Sequence, residues 1–259
     1  MDQVFLPTGK KVLPQRNDCM NFLITMAGEG RRFREAGYRL PKMLIAAKGK
    51  TLLEWSVDSL PLQLCTRLIF VAQQQHEDEF HLSEKIKSIY KHRVKSVHFV
   101  FIEKLTKGQS ETACLAKNII DPAQPLLIFN IDTQFSSSSL EKNLLRKNVD
   151  GVLGAFYAEE SRFSFAALDE EGFVKKTAEK EVISNNALTG LYHFSIASDF
   201  FEAAESAFEK NETTKGEFYI APLYNHLVAK GRKLIVDMAD EVNILGTPDE
   251  LALFLAKED

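Results

Sequence analysis

Short apolar runs alternate with amphipathic stretches through the first half of the chain. Asn21 to Met26, Arg67 to Ala72, Val97 to Ile102 and Leu126 to Asn130 have strand length and are bounded by polar or turn-forming residues. Between them, Leu52 to Leu60, Glu77 to Tyr90 and Glu111 to Ile119 carry apolar residues at helical spacing. This rhythm predicts βαβ units and a largely parallel sheet.

After Asp150 the texture changes. Gly151 to Tyr157, Phe163 to Leu168, Phe173 to Lys176 and Ala187 to Phe194 are closely spaced strand-like runs, with a turn signal at Asp169-Glu170-Glu171-Gly172. They predict added antiparallel strands. Helices are expected at Ala197 to Phe208 and Glu217 to Ala229, with a strand at Lys233 to Met238 after them. A last helix starts near Thr247-Pro248-Asp249, where Thr247 can cap and Pro248 suits the first turn. The expected fold is α/β: a Rossmann-like mixed, mainly parallel sheet flanked by helices, with an antiparallel portion in the second half. Residues 19–259 read as one domain. Residues 1–18, with Pro7, Gly9, Lys10, Lys11 and Pro14, read as an extended arm.

Composition narrows the function classes. With 45% hydrophobic residues the 259-residue chain can bury a full core, and a net charge of −4 excludes a generally basic nucleic-acid-binding protein. Cys19, Cys65 and Cys114 are scattered with no CxxC pair, and so read as reduced packing residues. No apolar run approaches the roughly 18 residues that span a bilayer. These features predict a cytoplasmic protein without membrane or nucleic-acid partners. The six histidines show no metal-ligand spacing. Phe156, Phe163, Phe165, Phe173 and Phe194 have the strand-like spacing of core residues rather than of a base-stacking platform.

The segment Phe22-Leu-Ile-Thr-Met-Ala-Gly-Glu-Gly-Arg-Arg-Phe33 reads as a buried strand opening into a basic glycine loop. Gly28 and Gly30 let backbone N–H groups approach a polyphosphate, and Arg31 and Arg32 bring charge to it. Neither a Walker A loop nor a GxGxxG dinucleotide fingerprint is present. The loop continues into Ala36-Gly-Tyr-Arg-Leu-Pro-Lys-Met-Leu-Ile-Ala-Ala-Lys-Gly-Lys-Thr-Leu-Leu-Glu-Trp55. Strand, glycine loop ending in Arg, Pro-Lys, then Gly-Lys before a helix resembles the sugar-phosphate nucleotidyltransferases, in their short single-domain form without a carboxy-terminal β-helix. The resemblance implies that Arg32 and Lys42 hold the triphosphate, with Ala27, Gly28, Gly30 and Arg31 lining the nucleotide.

Further stretches fit the same family in order. Lys107-Gly-Gln-Ser-Glu-Thr-Ala113 looks like its base-recognition turn, in which Gly108 allows close approach and the Gln109 amide can donate and accept; Ser110 is also placed to cap a helix. Leu126 to Asp132 is a hydrophobic run ending in a carboxylate, and Asp132 stands where a Mg²⁺ ligand is wanted. Val174 to Lys180 and Ser184 to Phe194 resemble the acceptor-binding half. That likeness assigns Glu179, Lys180, Thr189 and Gly190 to the acceptor. Gly216 to Tyr224 and Leu245 to Leu251 extend the likeness over about residues 21 to 256.

Two departures stand out. The first loop is one residue shorter than in many relatives, with Arg31 in place of a small hydroxyl residue, and Ile244 occupies the position of a second metal-binding aspartate. Asp237 and Asp240 are candidate substitutes. The expected reaction is transfer of a nucleoside monophosphate from an NTP to a phosphorylated small molecule, a sugar phosphate, with release of pyrophosphate and use of Mg²⁺. Three alternatives stay open at this point. The acceptor can be a non-sugar phosphate with CTP as donor. A glycosyltransferase would need Asp-x-Asp at Asn130-Ile-Asp132. A descendant of the family can bind nucleotide without turnover. The NTP, the acceptor and any homo-oligomer are not specified by the sequence.

Overall fold

The computed structural model describes residues 20–257, so the expected arm at 1–18 and Cys19 lie outside the described residues. In chain order the elements are β1 (Met20–Thr25), α1 (Arg31–Glu35), β2 (Ala46–Ala47), β3 (Lys50–Thr51), α2 (Leu52–Val57), β4 (Cys65–Gln73), α3 (Gln74–Phe80), α4 (Leu82–Tyr90), β5 (Ser96–Ile102) and α5 (Gln109–Cys114). They continue with β6 (Leu126–Phe129), β7 (Thr133–Ser136), α6 (Leu140–Leu144), β8 (Gly151–Tyr157), β9 (Ser164–Leu168), β10 (Val174–Glu179) and β11 (Asn186–Phe194). The chain then forms α7 (Ala197–Glu209), α8 (Tyr224–Ala229), β12 (Leu234–Met238), β13 (Glu241–Ile244) and α9 (Pro248–Ala256).

The main sheet has the order β10-β9-β11-β6-β1-β4-β5, with β8 pairing β11 and β12 beside that path. β6, β1, β4 and β5 run parallel, whereas β11 is antiparallel to β6 and opens the antiparallel portion. The expected mixed, mainly parallel α/β fold is therefore the fold of this chain. Its cause is visible in β1, where Leu23 enters one hydrophobic cluster and Phe22 and Ile24 the other, so both faces of the strand are covered. β1 and β6 run parallel and in register, and their carboxyl ends at Thr25 and Phe129 open on the same edge of the sheet, where ligands of such folds bind. Among the described residues no helix is long and apolar enough to cross a membrane.

Several expected boundaries move for local physical reasons. The helix expected at Glu77 to Tyr90 is two helices, broken at His81, which takes a left-handed backbone (φ 51). The Glu77 carboxylate accepts from the Ser83 N–H (2.8 Å) and hydroxyl (2.6 Å), satisfying donors at the start of α4. The expected helix from Glu217 begins only at Tyr224 after a 3-10 turn, because Phe218 is bonded to the backbone of Lys107 and Ser110. Ser110 does not cap α5; its hydroxyl donates to the Phe218 carbonyl instead. At α9 the expected start is found, with the Thr247 hydroxyl accepting from the Glu250 N–H. The sequence pattern gave no sign of β7 and β13. They pair antiparallel and bring Thr133 opposite Ile244.

One core residue makes a pH-dependent contribution. His193 on β11 is 3% exposed, neither ring nitrogen has a hydrogen-bond partner among the described residues, and burial pushes its pKa down to about 3. The folded state keeps this ring neutral while the unfolded chain protonates it near the ordinary histidine value. Stability is therefore lost as pH falls from about 6.5 towards the folded value, at up to about 1.4 kcal/mol per pH unit. His193→Leu removes two unpaired polar atoms along with the titration. Thermal melts between about pH 6 and pH 4 are expected to show a shallower acid-side decline in the variant than in the parent. Parallel declines would contradict the assignment.

Candidate active site

Beyond the carboxyl end of β1 the chain passes through Met26 and Ala27 into the turn Gly28-Glu29-Gly30 and enters α1. The Met26 N–H bonds the Val71 carbonyl (2.9 Å), and the Gln73 amide donates to the Ala27 and Gly28 carbonyls (3.0 and 3.2 Å), so the turn is tied to β4. Gly30 has φ 60, and the Cβ it lacks would lie 3.6 Å from the Cβ of Lys42. Glycine therefore serves the left-handed turn, while a Cβ there would make only ordinary contact with Lys42.

This turn is one wall of a cleft of about 590 Å³. Thr25 to Phe33 form that wall, Lys42 and Met43 the base, Leu105, Thr106, Gly108, Gln109 and Thr112 a second wall, and Asn130 to Asp132, Glu217 and Gly246 the remainder. Every sequence-proposed nucleotide residue, namely Ala27, Gly28, Gly30, Arg31, Gly108 and Gln109, lines it together with Arg32, Lys42 and Asp132.

The charges are arranged unequally. Lys42, in the 3-10 turn after Pro41, has its side chain 11% exposed, lies over the Phe33 ring, and places Nζ 3.0 Å from Asp132 Oδ2. Asp132 is fixed from the other side: its carbonyl accepts the Leu245 N–H (2.5 Å), and β7 and β13 continue from that contact. Arg31 pairs along α1 with Glu35 (2.6 Å), whereas Arg32 is exposed and has no ionic partner among the described residues. The second wall is equally constrained. Gly108 has φ 140, and a Cβ there would collide with the Phe218 backbone. Gln109 reaches across to donate to the Thr25 hydroxyl (3.3 Å).

The four residues proposed for the acceptor do not line this cleft. Glu179, at the end of β10, is buried and accepts from the Ser164 hydroxyl; burial is the main cause that raises its pKa, with Ser164 and Lys180 opposing. Lys180 has φ 57 and reaches Tyr219, donating to its hydroxyl with Nζ 4.4 Å from the ring centre. Thr189 and Gly190 sit where β11 carries extra residues between its pairings to β8 at Leu188 and Tyr192. Gly190 has φ 92, and the Asn130 side chain occupies the space a Cβ would need. Asn130, which also lines the cleft, thereby places Gly190 beside it. Sequence reasoning missed the lining role of Asn130, Glu217 and Gly246, which comes from distant segments meeting in space.

The substitute metal ligands are corrected by the geometry. Asp237 is 2% exposed and its carboxylate accepts from Ser137, Ser139 and Asn143 (2.6, 2.6 and 2.7 Å). Asp240 accepts from the Ser138 N–H (2.7 Å). Both carboxylates pin the loop before α6 and neither lines the cleft. Among the described residues no group of three or more His, Cys, Asp or Glu side chains gathers to hold a metal.

Comparison with known proteins agrees with this architecture. A nucleoside-diphosphate-sugar pyrophosphorylase from Vibrio cholerae RC9 is 33% identical, with a TM-score of 0.81 over 91% of this chain and 100% of that one. The inositol-1-phosphate CTP transferase from T. maritima, 17% identical, shares the fold with a TM-score of 0.70 over 92% and 93% of the two chains. The bifunctional protein GlmU of Burkholderia orbicola (strain AU 1054) is 26% identical over 234 residues, 86% of this chain and 48% of GlmU. The chain thus spans about half the length of the curated relatives it matches. The family model described as Nucleotidyl transferase matches residues 22–241, most of the described sheet and all but Gly246 of the cleft wall, and the chain belongs to that family.

Proposed function

We propose that this protein transfers a nucleoside monophosphate from an NTP to a phosphorylated small-molecule acceptor, a sugar phosphate, and releases pyrophosphate. The observation that carries the reading is the Lys42–Asp132 pair, which lines the same cleft as the Gly28 to Arg32 loop. An acceptor phosphate oxygen attacks the α-phosphorus of the NTP; the new P–O bond forms as the bond to the pyrophosphate oxygen breaks, and the electron pair leaves with pyrophosphate. Such a reaction needs positioning and positive charge rather than an enzyme nucleophile. Arg32, exposed and without an ionic partner among the described residues, and Lys42, held over Phe33, supply that charge. The backbone at Gly28 and Gly30 cradles phosphate, Gln109 reads the base edge, and Glu179 and Lys180 hold the acceptor with Thr189 and Gly190.

Asp132 is the residue that would hold Mg²⁺, which when bound neutralises triphosphate charge. The fit is that of a single, partly exposed carboxylate (41%), the kind of site Mg²⁺ completes with substrate phosphates and water. The cytoplasm is the proposed compartment. Cys65 is free and buried, and burial pushes its thiol up to about 12, in keeping with a reduced packing role. The nucleotide-activated product belongs to the class of donors used in polysaccharide synthesis.

The reading is tested by pyrophosphate release from the common NTPs against a panel of phosphorylated sugars and alcohols; silence across the whole panel would contradict it. With the active pair of substrates, Lys42→Ala is expected to lower kcat/KM at least about 100-fold, the scale of a lost preorganised electrostatic contact. Arg32→Ala should be severely impaired while Arg31→Ser retains substantial turnover, since Arg31 is already engaged with Glu35. The reverse order would mean that Arg31 carries the phosphate role. Lys180→Ala is expected to raise KM for the acceptor much more than for the NTP, and equal effects on both would remove Lys180 from the acceptor site.

A further inference from the structure

We propose that Glu250 supplies the second carboxylate of the divalent-cation site, opposite Asp132, in the place that Ile244 leaves without an oxygen. This rests on the nucleotidyl-transfer reading of the same cleft. Glu250 is far from Asp132 in sequence and stands in the first turn of α9. Its side chain is 12% exposed, and Oε2 is buried with no hydrogen-bond partner among the described residues. A buried carboxylate oxygen left unpaired is costly unless a cation completes it.

The position of that oxygen gives it meaning. The point where a Cβ on Gly246 would stand lies 3.1 Å from Glu250 Oε2 and 3.7 Å from Asp132 Oδ2. The two carboxylates therefore face the same small space at the edge of the cleft, and it stays open because residue 246 has no side chain. Gly246 has no positive φ, so its backbone does not require glycine; a side chain there would instead press on the Glu250 carboxylate.

Helix capping does not account for Glu250. The pattern Thr-x-x-Glu occurs at the start of both α2 and α9. At Thr51 the Glu54 carboxylate returns to accept the Thr51 N–H (2.8 Å) and closes a capping box. At Thr247 the hydroxyl accepts from the Glu250 N–H (3.2 Å), but the carboxylate does not return. Its Oε1 takes Arg162 instead, and Oε2 is left towards Gly246. Arg162 pairs with Glu250 Oε1, and Lys42 pairs with Asp132 Oδ2, the oxygen nearest Gly246, so a divalent cation here would take the place that Lys42 now holds beside Asp132.

The test uses Mn²⁺ as probe, its free concentration read by EPR on purified protein without turnover. Glu250→Gln and Asp132→Asn are each expected to weaken Mn²⁺ binding at least about tenfold, the scale on which loss of a group supporting a metal site is felt. Arg162→Gln is expected to strengthen it, because it removes the cation competing for Glu250. A Glu250 that only anchors Arg162 predicts no change in either the Glu250 or the Arg162 variant. Thermal melts without metal establish that each variant is folded, and Gly246→Ala, which puts a methyl between the acids, should weaken Mn²⁺ as Glu250→Gln does. If Asp132→Asn weakens binding and Glu250→Gln does not, the proposal for Glu250 fails while the active-site reading stands. Absence of Mn²⁺ binding by the parent protein through the millimolar range also overturns it, and the pyrophosphate assay judges the reading of the cleft separately.

Discussion

The ion pair between Lys42 and Asp132 is the interaction around which the cleft is organised. Its members come from opposite sides of the site, Lys42 from the turn after Pro41 and Asp132 from the segment beyond β6. Each needs separate support to arrive there. Phe33 gives Lys42 a surface, while β7, β13 and the Leu245 N–H fix the backbone of Asp132. A lysine 11% exposed is costly without a counter-charge, and Asp132 provides one. A triphosphate with several negative charges offers Lys42 a stronger partner, and a divalent cation offers the same to Asp132. The pair thus holds both side chains near their working positions and can be exchanged for substrate contacts.

Around that pair, close backbone packing at glycine joins the two halves of the molecule. Gly108 lies against the Phe218 backbone, which the Lys107 carbonyl and the Ser110 N–H also bind. Gly190 accepts the Asn130 side chain where β11 departs from regular pairing. The proposed base-reading turn and the proposed acceptor group are therefore tied to the same scaffold as Asp132. An added methyl at either glycine forces the Phe218 backbone or the half-buried Asn130 amide to move, so these positions bear on the site without touching the reacting atoms.

Most of the sheet was legible in the sequence because β1, β4, β5 and β6 are apolar runs that burial on a parallel sheet demands. The loop from Ala27 to Arg32, Lys42, Gly108, Gln109 and Asp132 was also legible, because the motif chemistry lies in short contiguous segments, and all of them line one cleft. What escaped depends on contacts between distant segments. Nothing near His81 announces the break that Glu77 and Ser83 stabilise, and nothing near Ser110 reveals that Phe218 claims its hydroxyl. Asp237 was a reasonable ligand by proximity in sequence to Ile244, yet three donors from residues 137 to 143 occupy it. Glu250 has the same Thr-x-x-Glu spacing as Glu54, and only its three-dimensional neighbours distinguish the two.

On the proposed reading, NTP binding exchanges the Lys42–Asp132 pair for a lysine–phosphate contact and a carboxylate–metal contact. Equilibrium binding of the NTP that supports turnover, measured with and without Mg²⁺ for the parent and Asp132→Asn, tests it most directly. Without Mg²⁺ the variant should bind NTP more tightly, because Lys42 is released and one repelling carboxylate is gone. With Mg²⁺ it should bind more weakly, because the metal has lost its protein ligand. A change in the same direction under both conditions would contradict the exchange.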